Sequence, residues 1–171
     1  KAAGNSVDDL AGTLQINDVS YQNSKNSYFF DDFAINSSFD TSNKRTITVN
    51  SPDIVEGKIE GKYKFNQLQK LIENSLGSLY TNYKPNKVEK GQYLNFDFSI
   101  SNKIIEVLFP KISIGENTKV SGTINSDKNE FKFNFNSPQI VASENTLDNV
   151  RLNIDNKNPL YNAYVEMDSI K

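Results

Sequence analysis

The sequence predicts a mostly-β, antiparallel fold with a single amphipathic helix, and three observations carry that expectation. Apolar residues alternate with polar ones through most of the chain, as in FKFNFN, where Phe131, Phe133 and Phe135 fall on one side and Lys132, Asn134 and Asn136 on the other. These segments are short, and the residues between them are Asn, Asp, Ser and Lys, which suit hairpin connections. One stretch alone, 65–83, abandons the period of two for about 3.6. Strands so patterned have one oily and one wet face, unlike the doubly buried strands of a parallel sheet.

Taken in order, LAGTLQINDVSY (10–21) alternates through Leu14 and Ile16, then shifts phase at Val19 and Tyr21, which predicts a bulge. A polar turn, QNSKNS, leads to a strand in YFFDDFAINSSF (28–39), followed by strands in KRTITVN (44–50) and IVEGKIEGKY (54–63). In the last of these Val55, Gly57, Ile59, Gly61 and Tyr63 share a face, and its glycines leave room for curvature or a close neighbour. The helix 65–83 places Leu68, Leu71, Ile72, Leu76, Leu79 and Tyr80 on one stripe, with Asn66 as N-cap and Lys84-Pro85 as the stop. QYLNFDFSI (92–100) returns to strand. IIEVLFPKISI (104–114) suits either a one-turn helix or a segment docked on a sheet edge. Strands follow in TKVSGTIN (118–125), EFKFNFN (130–136), a short piece at 139–142, NVRLNID (149–155) and YNAYVEMDSI (161–170). Asn-Ser-Pro occurs at Asn50–Pro52 and again at Asn136–Pro138, each time after an alternating strand, as if two related halves, 1–64 and 86–171, flanked the helix. Each proline marks a bend or an edge.

The 171 residues suffice for one domain, or two small ones, with a real core. The apolar share of 36% and mean hydropathy of -0.59 are polar values, but the regular alternation argues against disorder. A net charge of -2 with both signs interspersed gives no phosphate-binding footprint, so nucleic acid is not an expected partner. The chain has no Cys and no His, which removes disulfides, thiolate chemistry and the commonest general base. The carboxylate pairs Asp8-Asp9 and Asp31-Asp32 read as turn residues, and no phosphate loop, calcium loop or nucleophile elbow occurs. No enzyme activity, no cofactor and no metal site is expected. The opening KAAGNSVDD lacks a start methionine and reads as part of a longer protein whose targeting segment lies elsewhere.

The remaining signal is geometric. The apolar faces either meet in a closed sandwich or barrel, or line a groove in an open, curved sheet; composition does not choose between them.

At the level of whole motifs the chain resembles the periplasmic repeat region of TamB-type proteins, of the AsmA-like group, from Bacteroidetes-like bacteria. The resemblance rests on the entry strand Gly12-Thr13-Leu14-Gln15-Ile16-Asn17-Asp18, on NSPDIVEGKIEGKY leading into a helix that ends Tyr83-Lys84-Pro85, and on the return LFP…I…NTKVSGTIN. It implies one 1–171 segment of a larger repeat-like protein, folded as an antiparallel sheet curled into an open trough. It implies a place in the periplasm, anchored to the inner membrane through a segment outside this chain. The implied function is phospholipid transport between inner and outer membrane, or outer-membrane protein assembly with a BamA-like barrel partner, with phospholipid acyl chains as cargo. The helix is a departure from a simple repeat, and it leaves open whether the groove is continuous.

The expected groove lining is Leu14, Ile16, Phe33 and Ile35, then Ile47, Val49, Val55 and Ile59, then Leu94, Phe96, Phe98, Val120 and Ile124. The last third adds Phe131, Phe133, Phe135, Val150, Leu152, Val165 and Met167. A different reading of the same residues is a secreted or surface β-sandwich that binds glycan or protein through Tyr21, Tyr28, Phe29, Phe30, Tyr161 and Tyr164. A third is a platform that docks unfolded strands on exposed sheet edges.

Overall fold

A computed structural model describes residues 2–23, 26–80, 82–158 and 162–171. Among them the elements are β1 (Ala2–Ala3), β2 (Ala11–Ile16), β3 (Val19–Gln22), β4 (Ser27–Phe30), β5 (Phe33–Phe39), β6 (Arg45–Ser51) and β7 (Val55–Lys62). Next come α1 (Phe65–Gly77), β8 (Tyr93–Ile100), α2 (Asn102–Leu108), β9 (Ile112–Ile114) and β10 (Thr118–Asn125). The last are β11 (Glu130–Ala142), β12 (Asn145–Asp155), β13 (Ala163–Glu166) and β14 (Ser169–Ile170). Three expected elements fall partly outside these residues: the polar turn at Ser24 and Lys25, the helix at Thr81, and the last strand at Tyr161.

One antiparallel sheet holds every strand except β3 and β4, in the order β1-β2-β5-β6-β7-β8-β10-β11-β12-β13, with β9 beside β11 and β14 beside β12. It is not closed into a barrel: β1–β2 forms one edge and β13 the other, and they do not pair. The fold is therefore mostly β, antiparallel and open, as expected. The sheet crosses the division between 1–64 and 86–171 without a break, because β7 pairs directly with β8.

Turn chemistry explains much of the Asn content. Asn43, Asn117, Asn129 and Asn149 all take positive φ, a conformation Asn tolerates better than other side chains. In the β5–β6 turn, Asp40 Oδ1 accepts from the backbone N–H of Ser42 and Lys44 at 2.8 and 2.9 Å.

Several boundaries differ from the sequence reading. The phase shift in LAGTLQINDVSY is a corner rather than a bulge: Asp18 sits at φ 55, and the chain leaves the sheet there. β3 and β4 then form a separate hairpin, and β5 returns to pair with β2. The expected helix 65–83 ends at Gly77, since beyond it Leu79 and Tyr80 N–H groups bond three residues back, a tightened turn. The Tyr83 ring packs on Gly77 so closely that a Cβ would lie 2.3 Å from it, which fixes glycine at the exit. Asn66 is not the cap. Lys64 holds the N-cap position, and the Phe65 N–H donates to Asp8 Oδ1 at 2.6 Å, a carboxylate brought from the other end of the sheet's first segment. The segment 104–114 supplies both alternatives in succession, since α2 is a second helix and β9 docks on β11. Ser101 caps α2, its hydroxyl accepting from Lys103 N–H.

The two Asn-Ser-Pro stretches fold differently. After Ser51 the chain turns, with Ile54 N–H donating to Ser51 O, whereas β11 runs straight on past Pro138. Pro138 lies where β11 exchanges β10 for β9 as its neighbour, a place where no ladder donor is required.

Candidate functional site

Register turns the alternation into rows. One row crosses the sheet as Leu14, Ile35, Val49, Gly57, Phe98, Val120, Phe135, Leu152 and Val165, each opposite the next in the ladder. The adjacent row runs Ser37, Ile47, Ile59, Phe96, Gly122, Phe133 and Ile154. A third, nearer α1, runs Phe39, Arg45, Gly61, Leu94, Ile124 and Phe131. On the other side Ile16 faces Phe33, Ser51 faces Val55, and Ser137 faces Val150, with Met167 two positions beyond Val165. Nineteen of the twenty residues expected to line a groove thus lie on a single face, while Met167 falls just past the end of β13. The reverse face is polar, with Lys58 opposite Asp97 and the Thr123 hydroxyl donating to Asn95 Oδ1 at 2.9 Å.

The face is concave in its exposure. Mid-sheet residues such as Val49, Phe98, Val120 and Phe135 are half-buried by their neighbours, while Leu14 and Val165, at opposite edges, are 54% and 56% exposed. Among the described residues the second sheet is the two-stranded β3–β4 hairpin, too small to be the opposing half of a sandwich.

Both ends of the face are covered. At one end α1 sets Leu71, only 1% exposed, against Tyr63, Leu94, Ile124 and Phe131, with Leu68, Leu79 and Val88 around them. The helix closes that end over the third row, and Ile47, Ile59, Phe96, Phe133 and Ile154 of the second row pack against the same cluster. The expected stripe splits where α1 seats on the sheet. Leu68 and Leu71 pack inward while Ile72, Leu76 and Tyr80 stay exposed. At the other end Lys103 of α2 lies 5.3 Å from the Phe30 ring and 2.7 Å from Asp53 Oδ2, tying α2 to β4 and to the β6–β7 turn. That ion pair, with the Asp31 N–H, holds the Asp53 carboxyl below its usual range. Ser51, Thr118 and Ser137 are fully buried at this end, and the Thr118 and Ser137 hydroxyls bond at 2.7 Å.

Glycines shape the floor. A Cβ on Gly57 would lie 2.7 Å from Phe98 Cδ1, and one on Gly122 would lie 2.6 Å from Phe96 Cζ, so both rings lie across neighbouring strands. Phe96 and Phe133 flank Gly122 with centroids 6.4 Å apart. The close-neighbour reading of the β7 glycines therefore holds.

Among the residues first read as stacking platforms, Tyr21 and Tyr28 stack on the β3–β4 hairpin at 6.3 Å, and Phe29 beside them is 71% exposed. Phe30 is buried under Lys103 and offers no platform, because its hairpin position turns it toward the sheet. Tyr164 lies on the sheet's polar face, opposite Asn153. The paired carboxylates separate in role: Asp8 caps α1, and Asp9 accepts from the Ser6 and Asn5 N–H groups, which lower its pKa.

Ile154 and Arg45 belong to the same face and were not singled out in sequence. Parity alone places each of them, two positions from a residue that was. Among the described residues no helix is long and apolar enough to cross a membrane, and no group of three acidic residues is placed to hold a metal ion. Compared with protein-family models, curated proteins and solved structures, the chain matches none.

Proposed function

We propose that this chain is a non-catalytic segment of a TamB-like, envelope-spanning protein whose apolar face holds phospholipid acyl chains during transport between inner and outer membrane. The observation that carries the reading is the row from Leu14 to Val165, apolar from one edge of the sheet to the other. Such a surface needs no directional contact to hold hydrocarbon. Burial is worth roughly 0.8 kcal/mol per methylene and permits sliding. In the same reading the segment sits in the periplasm, is tethered to the inner membrane elsewhere in the full protein, and works with a BamA-like barrel when outer-membrane proteins are assembled.

A photoreactive residue in place of Phe96 or Phe133 tests this directly. Crosslinks to acyl chains are expected there and not from Lys58 on the polar face; labelling at Lys58 alone removes the proposal. A second reading has one observation in its favour, the Tyr21–Tyr28 stack with Tyr21 exposed, a platform of the kind that binds sugar rings. Calorimetric titration with polysaccharides separates the two, since only the glycan reading expects heat of binding that is lost in Y28A.

A further inference from the structure

Arg45 opens β6 on the apolar face, in register with Phe39 on one side and Gly61 on the other. The residue is 2% exposed. Its guanidinium is sandwiched between the Phe39 and Phe65 rings, at 4.7 and 4.8 Å. Nη2 donates to the carbonyls of Val7 and Leu10 at 2.9 and 3.1 Å. Two rings and two carbonyls stabilise the cation without neutralising it. No carboxylate among the described residues pairs with it, unlike Arg151, which meets Glu166. Its Nε and Nη1 are buried with no acceptor, as is the hydroxyl of Tyr63, close enough to feel the arginine's charge. A buried donor left open is costly, and a charged one more so.

The same guanidinium bounds a pocket of about 210 Å³ formed by Val7, Leu10, Leu14, Ile35 and Ile47, and it is the sole charged group in that lining. Leu14, Ile35 and Ile47 are members of the two central rows, so the pocket opens from the trough itself. The segment carrying Val7 and Leu10 forms its outer lip, and Leu10 O accepts from Ser37 Oγ as well as from Arg45.

We infer that Arg45 makes this part of the trough selective for amphiphiles whose acyl chain carries an anionic head, a carboxylate or a phosphate ester. The tail lies along Leu14, Ile35 and Ile47, and the anion meets the open Nε and Nη1 donors. Both donors are shut from solvent, so the lip or a flanking ring shifts to admit the anion, while the lip's own bonds to arginine come from Nη2. Neutral or cationic heads gain nothing there and leave the guanidinium uncompensated. The inference rests on reading the trough as an acyl-chain groove and adds a head-group preference to it.

The test titrates the whole chain with laurate, dodecyl phosphate, dodecanol and dodecyltrimethylammonium. At least about tenfold tighter binding is expected for an anionic probe than for dodecanol, the ratio expected of one charge-assisted hydrogen bond. Laurate against dodecyl phosphate tells which head the site takes. The Arg45 Nε–H resonance should shift with the anionic probe and stay still with dodecanol, a readout that needs no variant. R45M should bring laurate, dodecyl phosphate and dodecanol to the same affinity, whatever that affinity is. Equal binding of laurate, dodecyl phosphate and dodecanol, or an unmoved Nε–H resonance while they bind, overturns the head-group inference alone. Acyl labelling at Phe133 would still support the trough. Failure of all four probes, with no labelling at Phe133, overturns both.

Discussion

Replacing Gly57 with alanine tests the floor of the trough where it is tightest. The added Cβ would sit 2.0 Å from Asp97 O and 2.8 Å from Phe98 Cα, both backbone atoms of β8. Restoring ordinary contact means parting β7 from β8 by more than about 1 Å at that pair, an overpacking that costs about 1–3 kcal/mol. Gly57 also holds φ at 149, where an alanine adds strain of about 1–3 kcal/mol. Together the loss is roughly 2–6 kcal/mol, a large part of the about 5–15 kcal/mol that holds a domain folded. Two controls separate the contributions. Gly91 sits at φ 80 with nothing within 4 Å of its added Cβ, so G91A carries strain alone, about 1 kcal/mol. Gly122 would place its Cβ 2.3 Å from Lys132 O, so G122A isolates the close approach at about 1–3 kcal/mol. Urea unfolding, at a slope of about 2 kcal/mol per molar, should lower the midpoint by roughly 1–3 M for G57A and about 0.5 M for G91A. A G57A midpoint no lower than that of G91A would refute the claim that β8 lies directly against this glycine.

Three other outcomes follow from contacts already described. D8A removes the acceptor for the Phe65 N–H, so about 1 kcal/mol should be lost and amide exchange should quicken in the first turn of α1; unchanged exchange contradicts the capping role. L71A empties the best-buried side chain under the helix and should cost about 2–5 kcal/mol by thermal or urea unfolding, whereas a loss below that range means α1 is not seated on the sheet. Asp148 accepts from Lys171, Gln139 and Ser169, which together hold its pKa far below the ordinary carboxylate value. Because the folded pKa is the lower one, the contact's contribution is intact at neutral pH, declines below about pH 4 and is lost as pH falls through the folded value. Carbon-detected titration should find Asp148 still ionised below the ordinary carboxylate range, and K171A should raise its pKa. An ordinary titration in the unaltered chain would rule out the β12–β14 clasp.

Alternation made the face legible before any coordinates. Phe131, Phe133 and Phe135 define it, and the parity of every other strand agrees with them through the ladder. The strand count was harder to read. LQINDVSY looks like one strand that slips phase, yet the break is a single left-handed residue, Asp18, and a left-handed Asp leaves little trace in hydropathy. Leu79 and Tyr80 continue the helical spacing past Gly77, but spacing says nothing about a Tyr83 ring pressed on that glycine. The cap on α1 was illegible for a different reason: Asp8 and Phe65 become neighbours only once the sheet forms. Arg45 did leave a signal, since a cation two places before Ile47 must share its face. A charge on an apolar parity site is the kind of break that marks function or strain.

Almost every strand of the sheet lies beside its next partner in sequence. The hairpin β3–β4, the helix α1 and the α2–β9 piece are side trips that return to the neighbouring position. Growth along the main path is therefore sequential, each strand on it meeting the edge made just before, while β9 waits for β11 and β14 returns to β12. A topology of that kind keeps loop closure short and suits a chain that folds as it emerges, end first, from a narrow exit.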